Sequence, residues 1–171
     1  MSASGFTRRF ALTAPVVVWV ALSGSGVHTQ GKVEAINDRP NPYRAIRNWG
    51  TMPEGREWGA TSGIAIDRDG KSVWVAERCG TSCAGSNIDP VLKFDESGKL
   101  VKSFGGGMFV WPHSIHADRD GNVWVVDSRR TAPDELKKFP GETVKGNVVV
   151  KFSPEGKVLL TLGKAGVAGD R

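Results

Sequence analysis

Cysteine is scarce in this chain: Cys79 and Cys83 are the two among 171 residues. That excludes a multi-bridge disulfide scaffold, and it leaves no second thiolate pair to fill a tetrahedral zinc site. Long apolar runs are lacking too. The longest, Phe10–Leu22, falls short of the ~20 residues a helix needs to cross a hydrocarbon core. Charge of one sign is nearly absent: 23 basic residues stand against 18 acidic, a formal net charge of +5, and setting aside Arg8 and Arg9 leaves 21 against 18. With no basic stripe interleaved with aromatics and no helix-turn-helix or zinc-finger spacing, nucleic acid is not an expected partner. What the chain does have is 39% hydrophobic residues and 22 glycines, enough apolar side chain for one domain with a core and many tight turns.

Residues 1–26 have the three parts of an export signal: a basic start with Arg8-Arg9, the apolar run Phe10–Leu22, and small residues from Ser23 to Gly26. The arginine pair, set between Thr7 and Phe10, also resembles a twin-arginine signal, which implies export after folding. An uncleaved N-terminal anchor is the other reading, and Pro15 argues against a straight membrane helix. Residues 27–42 then form a linker to a domain spanning 43–171. The expected location is secreted or periplasmic, with the membrane involved through the signal alone. In that oxidising setting Cys79 and Cys83 are expected to close a small disulfide loop, free thiols being the alternative.

Past the leader the chain repeats itself. Gly63–Glu77 lies beside Ser114–Asp127 with one residue of gap, and Val91–Leu100 matches Val149–Val158 with none. Each copy runs a short strand into Asp-Arg-Asp-Gly, where aspartate favours turn hydrogen bonds and glycine supplies positive φ, and then reverses into Val-Trp-Val. A second hairpin follows through Lys93-Phe94-Asp95-Glu96-Ser97-Gly98-Lys99 or Lys151-Phe152-Ser153-Pro154-Glu155-Gly156-Lys157. Val73–Ala76 and Val123–Val126 are apolar at successive positions, so both of their faces are expected to be covered.

A small antiparallel sheet repeating about every 50 to 58 residues predicts an all-β fold built of β-propeller blades, against the alternative of a β-sandwich. Two complete four-stranded blades account for the repeat, and Tyr43–Trp49 reads as one strand of another. A closed ring of four blades at that repeat needs ~200 residues, so the chain is expected to be the N-terminal part of a longer propeller.

Few residues have the chemistry of a site. His113 stands where the second blade's inner strand begins, behind Trp111-Pro112, whose fixed φ stiffens the approach; its imidazole suits a metal or a proton, or a loop hydrogen bond. His116, three residues on, is expected to pack between blades, and His28 lies outside the domain. Arg78 ends the first blade's second strand, where its planar fork could meet a substrate carboxylate or pair with Glu77 or Asp127. The insertion Arg129–Gly146 reads as a solvated loop, with a lid or docking surface as the alternatives.

Trp58-Gly59-Ala60-Thr61-Ser62-Gly63, Val75-Ala76-Glu77-Arg78-Cys79-Gly80, Pro112-His113-Ser114-Ile115 and Asp120-Gly121-Asn122-Val123-Trp124-Val125-Val126-Asp127 together resemble the opening blades of a known family. It is that of the six-bladed NHL-repeat propellers related to peptidyl-α-hydroxyglycine α-amidating lyase, and the likeness covers roughly residues 43–171. The resemblance implies a carbon–nitrogen lyase that releases glyoxylate, with zinc on three histidines in the central channel and calcium supporting the ring. On this sequence it makes His113 a zinc ligand and Arg78 the arginine that binds the substrate's carboxylate. Ile115 and Thr61 become calcium ligands through their backbone carbonyls. The family's other zinc histidines, its tyrosine, second arginine and calcium aspartate match nothing here, and Ser114 stands where glycine is usual. As given, the chain is therefore not expected to turn over substrate. The expected partner is a small-molecule or peptide ligand at the central channel. A non-catalytic propeller that binds protein, peptide or glycan through its rim loops is the alternative, and a sugar-lactone hydrolase is a third reading for which no residue stands out.

Overall fold

A computed structural model describes residues 40–53 and 55–169. The export signal at 1–26 and nearly all of the 27–42 linker lie outside the described residues. Both Asp-Arg-Asp-Gly segments turn the chain: Gly70 N–H donates to Asp67 O and Gly121 N–H to Asp118 O, each at 2.9 Å. The leading aspartate of each turn then does more than turn. Asp67 accepts from the Trp74 indole at 2.9 Å and pairs with Lys93 at 2.6 Å. Asp118 accepts from the Trp124 indole at 3.1 Å and pairs with Lys151 at 3.2 Å. Each lysine also lies over its tryptophan ring, so one aspartate ties three consecutive strands of its blade together.

Among the described residues eight strands result: β1 (Thr61–Ile66), β2 (Val73–Glu77), β3 (Val91–Phe94), β4 (Leu100–Phe104), β5 (Pro112–Ala117), β6 (Val123–Asp127), β7 (Val148–Phe152) and β8 (Val158–Leu162). They make two four-stranded sheets in the orders β1-β2-β3-β4 and β5-β6-β7-β8. Every neighbouring pair is antiparallel. The fold is all-β and propeller-like, with two blades, and both sheets belong to one unit, Arg44–Arg171. One short helix, α1 (Pro133–Lys138), is added between β6 and β7.

The core lies between the blades. Trp74, Ala76 and Val91 of the first face Val123, Val125, Val150 and Phe152 of the second. Phe104 bridges them, with ring centroids 5.6 Å from Trp74 and 5.0 Å from Phe152. The inner strands β1 and β5 lie side by side. At Gly63 the approach is close: a Cβ would meet Ile115 N at 3.2 Å and Ser114 Cα at 3.3 Å, so a side chain there would press on the facing strand.

The burial expected of the Val-Trp-Val strands holds for β2, buried from Trp74 through Glu77. In β6 it alternates: Val123, Val125 and Asp127 are buried while Trp124 and Val126 are half-buried, because among the described residues no sheet lies over the second face. At the far edge of the same sheet β8 is exposed throughout. On the first blade's outer face Val75, Leu92 and Phe94 are covered by Trp49 and Met52, and Trp58 stacks on Phe94 at 5.3 Å. The extra strand expected at Tyr43–Trp49 does not form. Residues 47 and 48 make a turn, with Asn48 at φ 55°, and the segment contributes the Trp49 ring rather than a ladder.

The Arg129–Gly146 insertion lies at the surface, as expected, and side chains tie it to the first blade's loops. Glu142 accepts from Gly85 N–H and pairs with Lys145 at 2.7 Å. Lys145 in turn reaches Gly107 O at 2.9 Å. Among the described residues no helix is long and apolar enough to cross a membrane.

Candidate functional site

The two inner strands lose register at the same place, between Thr61 and Gly63 in β1 and between Pro112 and Ser114 in β5. Ser62 and His113 are the extra residues of these bulges, a device that bends a strand and re-aims a side chain. In the first blade the Ser62 hydroxyl donates across to Pro112 O at 2.7 Å. In the second, His113 stands exposed at the rim. His116, expected between blades, is exposed as well, since it lies beside Trp124 on the sheet with the open face. Thr61 is exposed and Ile115 buried, each on an edge strand.

Arg78 leaves the end of β2 and crosses to the second blade. Its Nε donates to Pro112 O at 3.2 Å, and its guanidinium lies 4.3 Å from the centre of the Trp111 ring. The pairing with Glu77 or Asp127 that its sequence position also allowed does not occur. Glu77 is taken by Arg56 at 2.7 Å and by the Cys79 and Gly80 N–H groups at 3.0 and 2.9 Å. Asp127 accepts from Val110 N–H at 2.9 Å and Trp111 N–H at 2.6 Å. Among the described residues no carboxylate lies within 4.0 Å of Arg78, and its two terminal nitrogens hold no hydrogen bond.

Pro112 O thus brings Arg78 to the residue next to His113, the two groups the resemblance singled out. Cys79 and Cys83, which follow Arg78, are joined with S–S 2.03 Å. Sequence reasoning missed Trp111 as a platform and Arg129 as its second cation, 4.6 Å from the ring centre. Missed too were Glu77 and Asp127 as anchors. Those two occupy matching places at the ends of β2 and β6, so the repeat itself held the signal.

Three imidazoles are what the zinc implied by the resemblance requires. Among the described residues no three His, Cys, Asp or Glu side chains converge. One imidazole does not hold zinc and two carbonyls fall short of calcium's six to eight oxygens, so these residues by themselves do not fit either metal.

The carboxylates that organise the rim respond to pH in opposite senses. Burial pushes the Asp127 carboxyl above its ordinary 3.8, against the Val110 and Trp111 N–H bonds that pull it down. Its folded form binds a proton first, so between 3.8 and the raised value stability falls as pH rises. Arg129, by its hydrogen bonds, holds Glu135 down to about 2 from its ordinary 4.5. That contribution is complete above 4.5 and is lost as pH falls toward about 2. The protection of the Ala132 amide against exchange, relative to its intrinsic rate at each pH, should therefore fall across that acid range, since its N–H donates to Glu135 at 2.8 Å. In Glu135→Gln the acid step should be missing; its persistence would mean that another group opens the insertion.

No protein-family model matches the chain. No curated protein matches it either. Among solved structures, one that matches is a gluconolactonase from Xanthomonas campestris, described as important in glucose secondary metabolic pathways. The match has 16% sequence identity and a TM-score of 0.37, over 61% of this chain and 28% of that one. A likeness of this extent says nothing about the chemistry of the site. The resemblance to amidating lyases rests on the quoted motifs alone.

Proposed function

We propose that this protein is an exported propeller that binds the carboxylate end of a small or peptide ligand at its rim, in the manner of the amidating-lyase family it resembles. The observation that carries this reading is Arg78: a guanidinium seated on Trp111 and fixed through Nε, with its terminal nitrogens uncommitted among the described residues. Such a fork matches a carboxylate with two parallel donors. His113, on the neighbouring bulge, is the group that would face the rest of the ligand and take or hold a proton. Export fits the Cys79–Cys83 bridge, which an oxidising compartment keeps closed.

The reaction implied by the resemblance is cleavage of the carbon–nitrogen bond of a peptidyl-α-hydroxyglycine to give an amidated peptide and glyoxylate. No step of it is assigned to the residues described, beyond the holding of the carboxylate by Arg78. A second reading is a non-catalytic rim binder, which needs the Arg78 fork and no chemistry from His113.

N-acetylglycine, titrated by NMR into the full chain, tests the shared claim. We expect saturable binding that weakens at least about tenfold in Arg78→Met, the loss of a charge-assisted contact. Absence of binding would overturn both readings. Glyoxylate release from a benzoyl-α-hydroxyglycine would exclude the non-catalytic binder.

A further inference from the structure

Two guanidinium groups share one indole ring, Arg78 at 4.3 Å and Arg129 at 4.6 Å from the Trp111 centroid. Like charges so placed repel unless one is neutralised. The structure neutralises Arg129. Its Nη2 and Nη1 meet the two carboxylate oxygens of Glu135 at 2.6 and 2.7 Å, and the same nitrogens reach Ser82 Oγ at 3.2 Å and Arg130 O at 3.1 Å. Glu135 is itself held by Ala132 N–H and by the Ser82 hydroxyl at 2.9 Å. Ser82 belongs to the loop closed by Cys79 and Cys83, so the insertion and the disulfide loop are locked to each other at this pair.

Arg78 differs on every count. It has one hydrogen bond, from Nε, and no carboxylate partner among the described residues. One arginine is committed and the other is available. Trp111 lies in contact with both, and Asp127 fixes its backbone N–H.

We propose that Arg129 is a positioning residue. Clamped by Glu135, it holds the Trp111 ring as the platform on which the Arg78 guanidinium lies, and so sets the direction in which the terminal nitrogens of Arg78 meet a carboxylate. The role rests on the reading of Arg78 as the carboxylate binder. It gives the insertion a function, since the first blade has no counterpart of α1 and its β2–β3 connection presents no second cation.

The test uses the full chain labelled at arginine, with the Arg78 Nε–H NMR signal assigned by its loss in Arg78→Lys. Stacked on an indole and bonded to Pro112 O, that signal should be displaced from the position of free arginine. In Arg129→Met it should move toward the free position, and N-acetylglycine should bind roughly 2- to 5-fold more weakly, the worth of one cation–π contact. Arg129→Lys, which returns a cation to the ring, should recover part of both. A role in stability alone would lower the melting temperature and leave the Arg78 signal in place, and that result in a folded Arg129→Met would overturn the proposal. Should Arg129→Met not fold, Glu135→Gln loosens the clamp with both arginines present and is read by the same signal. If wild type does not bind N-acetylglycine while the Arg78 signal still moves in Arg129→Met, the carboxylate reading fails and the positioning role stands.

Discussion

Phe152→Ala should destabilise the chain by ~3–5 kcal/mol, the usual cost of truncating a buried aromatic. Phe152 has no exposed surface, and it lies 5.0 Å from the Phe104 ring and 6.0 Å from that of Phe109. It is the point where the second blade enters the hydrophobic layer it shares with the first. The ring cannot be replaced by local collapse, because its neighbours come from two sheets whose spacing is set by backbone ladders. Against a total stability of ~5–15 kcal/mol the loss is a large fraction of the whole. A melting temperature lower by on the order of 10 °C is expected. Leu159→Ala, on the exposed β8, is the control and should change stability by less than ~0.5 kcal/mol. A Phe152→Ala chain as stable as that control would mean that the two blades are not held by this layer.

Much of this fold was legible because turn chemistry is local. Asp67-Arg68-Asp69-Gly70 and its copy state a reversal within four residues, and the repeat then fixes how many strands follow. Less legible was the other use of those aspartates. The bonds from Asp67 to Trp74 and Lys93, and from Asp118 to Trp124 and Lys151, join a turn to the second and third strands of its blade. Spacing alone does not reveal that a turn residue also anchors a tryptophan.

The supposed strand at Tyr43–Trp49 shows the converse. The segment looks like a strand in the sequence, but what the first blade draws from it is one ring against Phe94. At the rim, Arg78 and His113 could be named from motif resemblance. The meeting of Arg78, Trp111 and Arg129 could not, because it depends on a bulge in β5 and on an insertion folding back over the disulfide loop. Neither of these has a period to read.

Glu77→Ala should be the costliest single change at the rim, at ~1–3 kcal/mol, because it leaves the half-buried Arg56 and two backbone N–H groups without the carboxylate they share. The Glu77 side chain is 1% exposed and its partner Arg56 17%. Three donors converge on the carboxylate: Arg56 Nη2, Cys79 N–H and Gly80 N–H. Gly59 is glycine for the same reason, since a Cβ there would lie 2.0 Å from Glu77 Oε1. Arg56→Met should be costly as well, leaving the carboxylate with its backbone donors alone. The double variant Glu77→Gln with Arg56→Met should cost less than the sum of Glu77→Gln and Arg56→Met, the signature of a coupled pair. Urea unfolding of the four chains measures this, and a Glu77→Ala loss below ~1 kcal/mol would show that the carboxylate is not an anchor.

The cost is also a statement about function. Glu77 fixes the two residues that follow Arg78, and Asp127, its counterpart in the second blade, fixes Trp111. The cation and its platform are thus each aimed by a buried carboxylate at the end of a core strand. A chain that kept its sheets but lost either carboxylate would keep the blades and lose the direction of Arg78.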